Sequence, residues 1–258
     1  MIEGPLNGKR ILLTRAANQM QELEQSVSRR GATPVLFPCL QVKSMPDNVR
    51  KAISCISDFS DVVFTSSNGV ESVAASAEDL QAALRGKRIA AVGEATARAL
   101  QDVGITTDIV PTLASQDGLM HAYIEHGLPS GLMFFRASEG REHLAQALTT
   151  AGVHVATVAA YETVCPEGDA SGVIKQLQHY GIDAVLLGSS KAARCYVQRI
   201  LTAADIALAD RPAIAVLSEQ VKAAAIDAGL SVQVVAKRAS FDSMLDELTA
   251  YFSNPEHL

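Results

Sequence analysis

The chain has 258 residues, long for one domain and ample for two. Hydrophobic residues make up 48 %, with no Trp and few aromatics, so its helices and sheets must pack through small aliphatic side chains. The formal net charge is −6 and the basic residues are scattered, with no run longer than two, which argues against a protein that grips nucleic-acid phosphates.

The opening "MIEGPLNGKR" lacks the apolar stretch of a signal peptide. No apolar run approaches the about 18 residues that a membrane span needs. Cys39, Cys55, Cys165 and Cys195 lie far apart without a CxxC pair. Four isolated thiols fit a reducing compartment better than a disulfide framework. The expectation is a soluble cytoplasmic protein with neither membrane nor nucleic acid as partner.

In chain order, "RILLTR" (10–15) reads as a strand, and an amphipathic helix follows from about Asn18 to Arg30, stopped by Gly31. "TPVLFP" is the next strand. After it come "DVVFTS", "RIAAVG", "TTDIVP", "LMFFRA", "HVATVAAYETV", "DAVLLGSS", "AIAVLS" and "SVQVVA". Helical segments with apolar residues at spacings of three and four lie between them. Such alternation predicts parallel β-sheets flanked by helices.

A two-fold internal repeat runs through these elements. "GKRILLTRAANQMQELEQSVSRRGATPV" resembles "SGLMFFRASEGREHLAQALTTAGVHV", with Arg15 on Arg136 and Gly31 on Gly152. "SDVVFTSSNGVES" resembles "IDAVLLGSSKAAR", with Asp61 on Asp183. "IAAVGEATARALQDVGI" resembles "IAVLSEQVKAAAIDAGL", with Gly104 on Gly229. Two copies suggest two similar lobes, and ligands commonly sit between lobes. "FPCLQVKSMP" (37–46) and "AAYETVCPEG" (159–168) occupy matching places and connect regular segments. Periodicity alone leaves open whether the lobes are a front half and a back half or an interleaving of the two copies.

Ligands of parallel sheets bind beyond the carboxyl ends of strands, where helix N-termini also converge. The residues that follow the strands here are Thr14 and Arg15; Thr65, Ser66, Ser67 and Asn68; and Gly93, Glu94, Ala95 and Thr96. Thr112 and Ser115 stand at a helix start. Arg136, Gly188, Ser189, Ser190, Ser218 and Glu219 complete the set. Hydroxyls, small residues and free backbone N–H groups hold anions without much formal charge. A single Ser or Thr at such a corner is an N-cap more often than a ligand contact, and each Arg alone is explained by a surface ion pair. Recurrence of the same chemistry at many strand ends, in both copies, favours a binding surface.

Familiar catalytic signatures are absent. There is no GxSxG elbow, which makes Ser66 and Ser189 poor nucleophiles, and neither GxGxxG nor GxxxxGK[ST] follows a strand. His121, His126, His143, His154, His179 and His257 avoid the strand-end corners, so the expectation is a protein with no metal and no cofactor. Tyr161, in "AAYETV", lies on the second connecting segment. Its phenol is either a general acid or the packed face of an amphipathic linker.

Together these residues resemble the uroporphyrinogen-III synthase family over nearly the whole chain. The likeness is carried by "LLTRAANQ", "DVVFTSSNGV", "AAVGEATARAL", "ASQDGL", "FFRASEGREHLAQAL", "AAYETV", "VLLGSSKA" and "AIAVLSEQVKAAAIDAG". The resemblance implies a cofactor-independent lyase of tetrapyrrole biosynthesis. Such an enzyme dehydrates and cyclises hydroxymethylbilane, a linear tetrapyrrole, to uroporphyrinogen III with inversion of ring D. It implies two α/β lobes joined by a two-stranded linker. Residues 1–38 and 166–258 would form the discontinuous lobe and 42–160 the inserted one, with linkers 38–42 and 160–166.

By the same resemblance, Tyr161 matches the tyrosine that assists departure of the hydroxyl, and Thr96 a threonine facing the cleft. The corners Ser66, Ser67, Asn68 and Ser189, Ser190 match loops that meet substrate carboxylates. Arg15, Gly93, Ser115 and Arg136 complete the expected substrate-binding set. The sequence has Ser67 where many relatives have Pro, and Gly188 where Ser often occurs. A monomer is expected, with transient contact to the upstream hydroxymethylbilane-producing deaminase. The rival readings are a non-catalytic two-lobed binding module for a polyanionic small molecule and a flavodoxin-like FMN domain.

Overall fold

A computed structural model of the chain describes residues 4–140, 142–202 and 204–254. The sequence readings that touch the first three residues and His257 lie outside the described residues. The chain divides into two compact units. One comprises the described parts of Met1–Gln41 and Val164–Leu258, and the other is Val42–Thr163. The first is called here the discontinuous unit and the second the continuous unit.

The discontinuous unit holds a five-stranded parallel sheet of β1 (Arg10–Leu13), β2 (Thr33–Leu36), β8 (Ala184–Leu187), β9 (Ala213–Val216) and β10 (Val232–Val235). Their order is β10-β9-β8-β1-β2. The continuous unit holds β3 (Gln41–Ser44), β4 (Asp61–Phe64), β5 (Arg88–Ala91), β6 (Gly131–Ala137) and β7 (His154–Val164). They are ordered β3-β7-β6-β4-β5, with the pairs among β4 to β7 parallel. The chain passes from one unit to the other within β3 and within β7.

Each central strand is a continuous apolar run because both faces are covered. In β8, Val185 and Leu187 enter one core layer while Ala184 and Leu186 enter the other. In β6, Met133 and Phe135 face one layer, and Leu132 and Phe134 the opposite one. Phe135 stacks on Phe64 with centroids 5.4 Å apart.

The sequence repeat maps onto the sheets in an interleaved way. β9-β8-β1-β2 in one sheet has the same neighbour order as β5-β4-β6-β7 in the other. Those are the strands the repeat equates: β1 with β6, β2 with β7, β8 with β4 and β9 with β5. Each unit therefore combines the first half of one copy with the second half of the other. Gly31, Gly152, Gly104 and Gly229, matched in the repeat, all end helices with positive φ between 77° and 92°. Asp61 and Asp183 also do related work at the strand starts. Asp183 accepts the Arg10 N–H at 2.7 Å, and Asp61 pairs with Arg88 Nε at 2.5 Å. These carboxylates brace the sheets at the end remote from the strand-end corners.

Two elements differ from the sequence reading. "TTDIVP" forms only a single bridge, Ala90 to Ile109, in place of a strand. Asp108 turns its carboxylate onto the Ile89 N–H, and Pro111 has no N–H to extend a ladder. Conversely, β3 arises within the proline-bearing stretch read as a connection. It is an edge strand with mostly exposed side chains, so it shows no apolar pattern.

The cysteine expectation is corrected. Cys165 and Cys195 form a disulfide, with Cα atoms 5.2 Å apart across 30 residues of sequence. Motif spacing cannot register this pair, because packing of helix Ser190–Leu201 against the segment after β7 brings the thiols together. Cys39 and Cys55 are free. Burial pushes the Cys39 thiol up to about 12, against the opposing pull of Arg199, whereas Cys55 is exposed. Iodoacetamide at mildly alkaline pH should therefore alkylate Cys55 and spare Cys39 in the oxidised native protein. Peptide mass mapping that finds Cys39 labelled as fast as Cys55 would contradict the packing around residue 39.

Among the described residues no helix is long and apolar enough to cross a membrane.

Candidate active site

In the continuous unit the sequence-selected residues gather at the carboxyl ends of β4 to β7. Extended backbone at Ser66 ends β4, and its hydroxyl oxygen accepts the Gly69 N–H at 3.0 Å, capping helix Ser67–Ser76. Ser67 Oγ donates to the Ala95 carbonyl at 3.1 Å, tying this corner to the next. That next corner is Gly93, which opens helix Glu94–Asp102, with Thr96 in its first turn, buried at 4 % exposure. A Cβ on Gly93 would lie 2.9 Å from that of Ala114, so a glycine lets the 111–115 loop close over the strand end. Ser115 caps helix Gln116–His126 through the Gly118 N–H at 2.9 Å.

Arg136, 5 % exposed, ends β6, with its guanidinium over Phe134 and Nη1 3.2 Å from Glu142 Oε1. Asn68 lies in the first turn of helix Ser67–Ser76.

Tyr161 reaches this edge through a register shift. Along β7, Ala156, Val158 and Ala160 pack into the layer of Met133 and Phe135, and Val155 into the other. Strict alternation would send residue 161 to the side of Val155. Instead Arg136 pairs with Ala159 and Ala137 with Tyr161, so Ala160 is an extra residue in the ladder. The bulge turns Tyr161 to the same side as Ala160, towards helix Ser67–Ser76. There its phenol lies 2.8 Å from Ser66 Oγ. Tyr161 is 7 % exposed, and its backbone carbonyl accepts the Ser138 N–H at 2.8 Å.

Gly69 is a residue the sequence reading missed. A Cβ there would lie 3.2 Å from Ser66 Oγ and 3.7 Å from Tyr161 Cε1, so the bare glycine makes the floor on which the pair meets. Only the "NGV" after the serines hinted at it.

Arg15, Ser189 and Ser190 belong to the discontinuous unit, at the carboxyl ends of β1 and β8. Ser189 caps helix Ser190–Leu201, accepting from the Ala192 N–H at 3.1 Å. Ser190 is half-exposed. Arg15 bonds Gln19 at 3.0 Å and lies over the Phe241 ring. Desolvation lowers its pKa, and nearby Glu22 raises it. Phe241 was also missed by sequence. A Cβ at 188 would meet its ring 2.6 Å away, which accounts for Gly188 at a position where a serine side chain would displace the aromatic ring.

Each unit by itself thus ends its strands in helix N-termini lined by hydroxyls and amide N–H groups, with Arg136 on β6 in the continuous unit and Arg15 after β1 in the discontinuous one. The fold is that of an α/β protein with two parallel-dominated sheets flanked by helices. The family described as Uroporphyrinogen-III synthase HemD matches residues 21–246, and the chain belongs to that family. It is 31 % identical over 209 residues to the uroporphyrinogen-III synthase of Synechococcus elongatus, covering 77 % of each chain. To the porphyrin biosynthesis protein HemD of Ruminiclostridium josui it is 26 % identical over 250 residues, 95 % of this chain and 49 % of that one. In fold it is similar to the uroporphyrinogen-III synthetase of Helicobacter pylori, with TM-score 0.62 at 13 % identity, covering 94 % and 99 % of the two chains. A mutant uroporphyrinogen III synthase from Thermus thermophilus gives 0.56 at 17 % identity, covering 95 % and 99 %.

Proposed function

We propose that the chain is a uroporphyrinogen-III synthase, which dehydrates and cyclises hydroxymethylbilane to uroporphyrinogen III with inversion of ring D. The observation that carries this reading is the phenol of Tyr161, turned by a bulge onto a strand-end corner lined with hydroxyl and amide donors. Tyr161 is the group that protonates the departing hydroxyl. The C–O electron pair leaves with oxygen, the phenol proton completes a water molecule, and the pyrrole nitrogen stabilises the azafulvenium cation. Ring D attacks through its substituted carbon, and the spiro intermediate fragments and recloses at the other carbon. The proton lost from the pyrrole carbon on reclosure restores the phenol. An electron-rich pyrrole expels water readily once its hydroxyl is protonated, so positioning supplies most of the remaining barrier reduction.

The substrate is a polycarboxylate, whereas the protein carries −6. Attraction by the protein's overall field is thus replaced by local donors. In this reading the N–H groups and side chains at Ser66, Ser67, Asn68, Gly93, Thr96, Ser115 and Arg136 of the continuous unit hold carboxylates, and Arg15, Ser189 and Ser190 are the corresponding donors of the discontinuous unit. The protein acts as a cytoplasmic monomer without metal or cofactor, in transient contact with the deaminase that supplies its unstable substrate.

A coupled assay tests the assignment. The deaminase generates hydroxymethylbilane in the presence of the protein, and the oxidised uroporphyrin isomers are separated. Isomer III should dominate; accumulation of isomer I alone overturns the assignment in favour of a binding module.

A further inference from the structure

The Ser66 hydroxyl has one proton to donate and two lone pairs with which to accept. One acceptor position is taken by the Gly69 N–H at 3.0 Å, and the phenol of Tyr161 is 2.8 Å away. Either oxygen of that pair can be the donor, and the choice decides where the phenol proton points. If Tyr161 donates, its proton is held by the serine. If Ser66 donates, the phenol oxygen is occupied as an acceptor and its own proton is free for a ligand.

Two physical terms favour donation by Ser66 as the phenol loses its proton. An N–H already bonded to Oγ polarises the serine O–H and strengthens it as a donor. Ser66 also stands at the N-terminus of the ten-residue helix Ser67–Ser76, whose partial positive charge stabilises negative charge on a neighbouring oxygen. The pair is held from all sides. Gly69 leaves room beside the Ser66 oxygen, the bulge at Ala160 sets the direction of the ring, and the Ser138 N–H fixes the Tyr161 backbone.

We infer that Ser66 is a positioning residue for departure of the hydroxyl. It donates to the Tyr161 oxygen, directs the phenol proton away from the protein, and retains that hydrogen bond while phenolate forms. The inference rests on the reading of Tyr161 as the acid, and it gives the serine a role beyond capping and carboxylate binding.

Three substitutions separate the roles. Ser66→Gly keeps a residue tolerated at an N-cap but removes the hydroxyl. Ser66→Asp keeps a strong cap acceptor for the Gly69 N–H, but an ionised carboxylate has no proton to give, so the phenol must donate to it. Ser66→Thr restores both functions. The expected result is a kcat loss of about 10-fold for Gly, less than a lost acid costs, and about 100-fold for Asp, at the lower end of the span of lost acid catalysis, with turnover recovered in Thr. KM should change less than kcat in Ser66→Gly, and in the Tyr161→Phe background neither Gly nor Asp should lower kcat further.

Folded Gly and Asp variants with kcat within twofold of the parent would overturn the inference. So would a loss of the same size in the Tyr161→Phe background. If Tyr161→Phe alone leaves kcat unchanged, the acid assignment fails instead. That outcome is read from a protein with Ser66 intact.

Discussion

Tyr161→Phe is expected to lower kcat for uroporphyrinogen III formation by about 100-fold, the scale of one lost general acid, with KM little changed. The substitution removes a single oxygen. The ring still fills its place in the layer with Val70, Phe135 and Ala160, so the fold persists. The lost hydrogen bond to Ser66 costs about 1 kcal/mol, which shifts a denaturation midpoint without unfolding the unit. Substrate released unreacted closes without inversion, so the product mixture should drift towards isomer I as the enzymic rate falls. Stopped-time assays with isomer separation measure both effects. A variant with parental kcat and isomer ratio removes Tyr161 from the mechanism.

Gly118→Ala should give the largest loss of stability, although the propensity scale predicts a gain. Alanine is favoured over glycine within a helix by about 1 kcal/mol. Here, however, a Cβ would lie 2.0 Å from the Leu113 carbonyl oxygen and 3.3 Å from Pro111 Cβ. The obstructing atom is backbone and cannot swing aside, so overlap outweighs propensity and the net loss is about 2–3 kcal/mol. Relief requires the 111–115 loop to move, and with it Ala114, which packs on Gly93 at the site edge. The urea midpoint should fall while KM rises. An unchanged or higher midpoint would show that the loop accommodates a methyl group.

The fold was legible wherever burial on both faces left uninterrupted apolar runs, as in "ILL", "VVF", "MFF" and "VLL". The internal repeat was legible because glycines at helix ends and aspartates at strand starts carry backbone roles that few other residues fill. β3 was hidden because an edge strand with exposed polar side chains has no hydrophobic period. "TTDIVP" misled because its β-branched residues meet a proline and an aspartate that binds backbone.

At the site, residue types could be read from strand-end positions, and Ser66, Ser115 and Ser189 are N-caps. The direction of Tyr161 could not be read. It depends on one unpaired residue, Ala160, and a bulge leaves no mark on an alternating pattern of small and apolar residues. The Cys165–Cys195 pair was hidden for a similar reason, since only tertiary packing brings its halves together.

The interleaved connectivity sets an order for events on the ribosome. Val42–Thr163 is contiguous and can form its sheet as soon as it emerges. β1 and β2 emerge earlier but lack their neighbour, since β1 pairs with β8 from Ala184 onward. At usual synthesis rates that gap lasts on the order of 10–30 s. Throughout it Ile11, Leu12 and Leu13, fully buried in the finished protein, have no partner strand on one side. β1 is thus made before the continuous unit and completed after it. During that interval a nascent-chain chaperone, or another copy of the same segment, competes with β8 for the edge of β1.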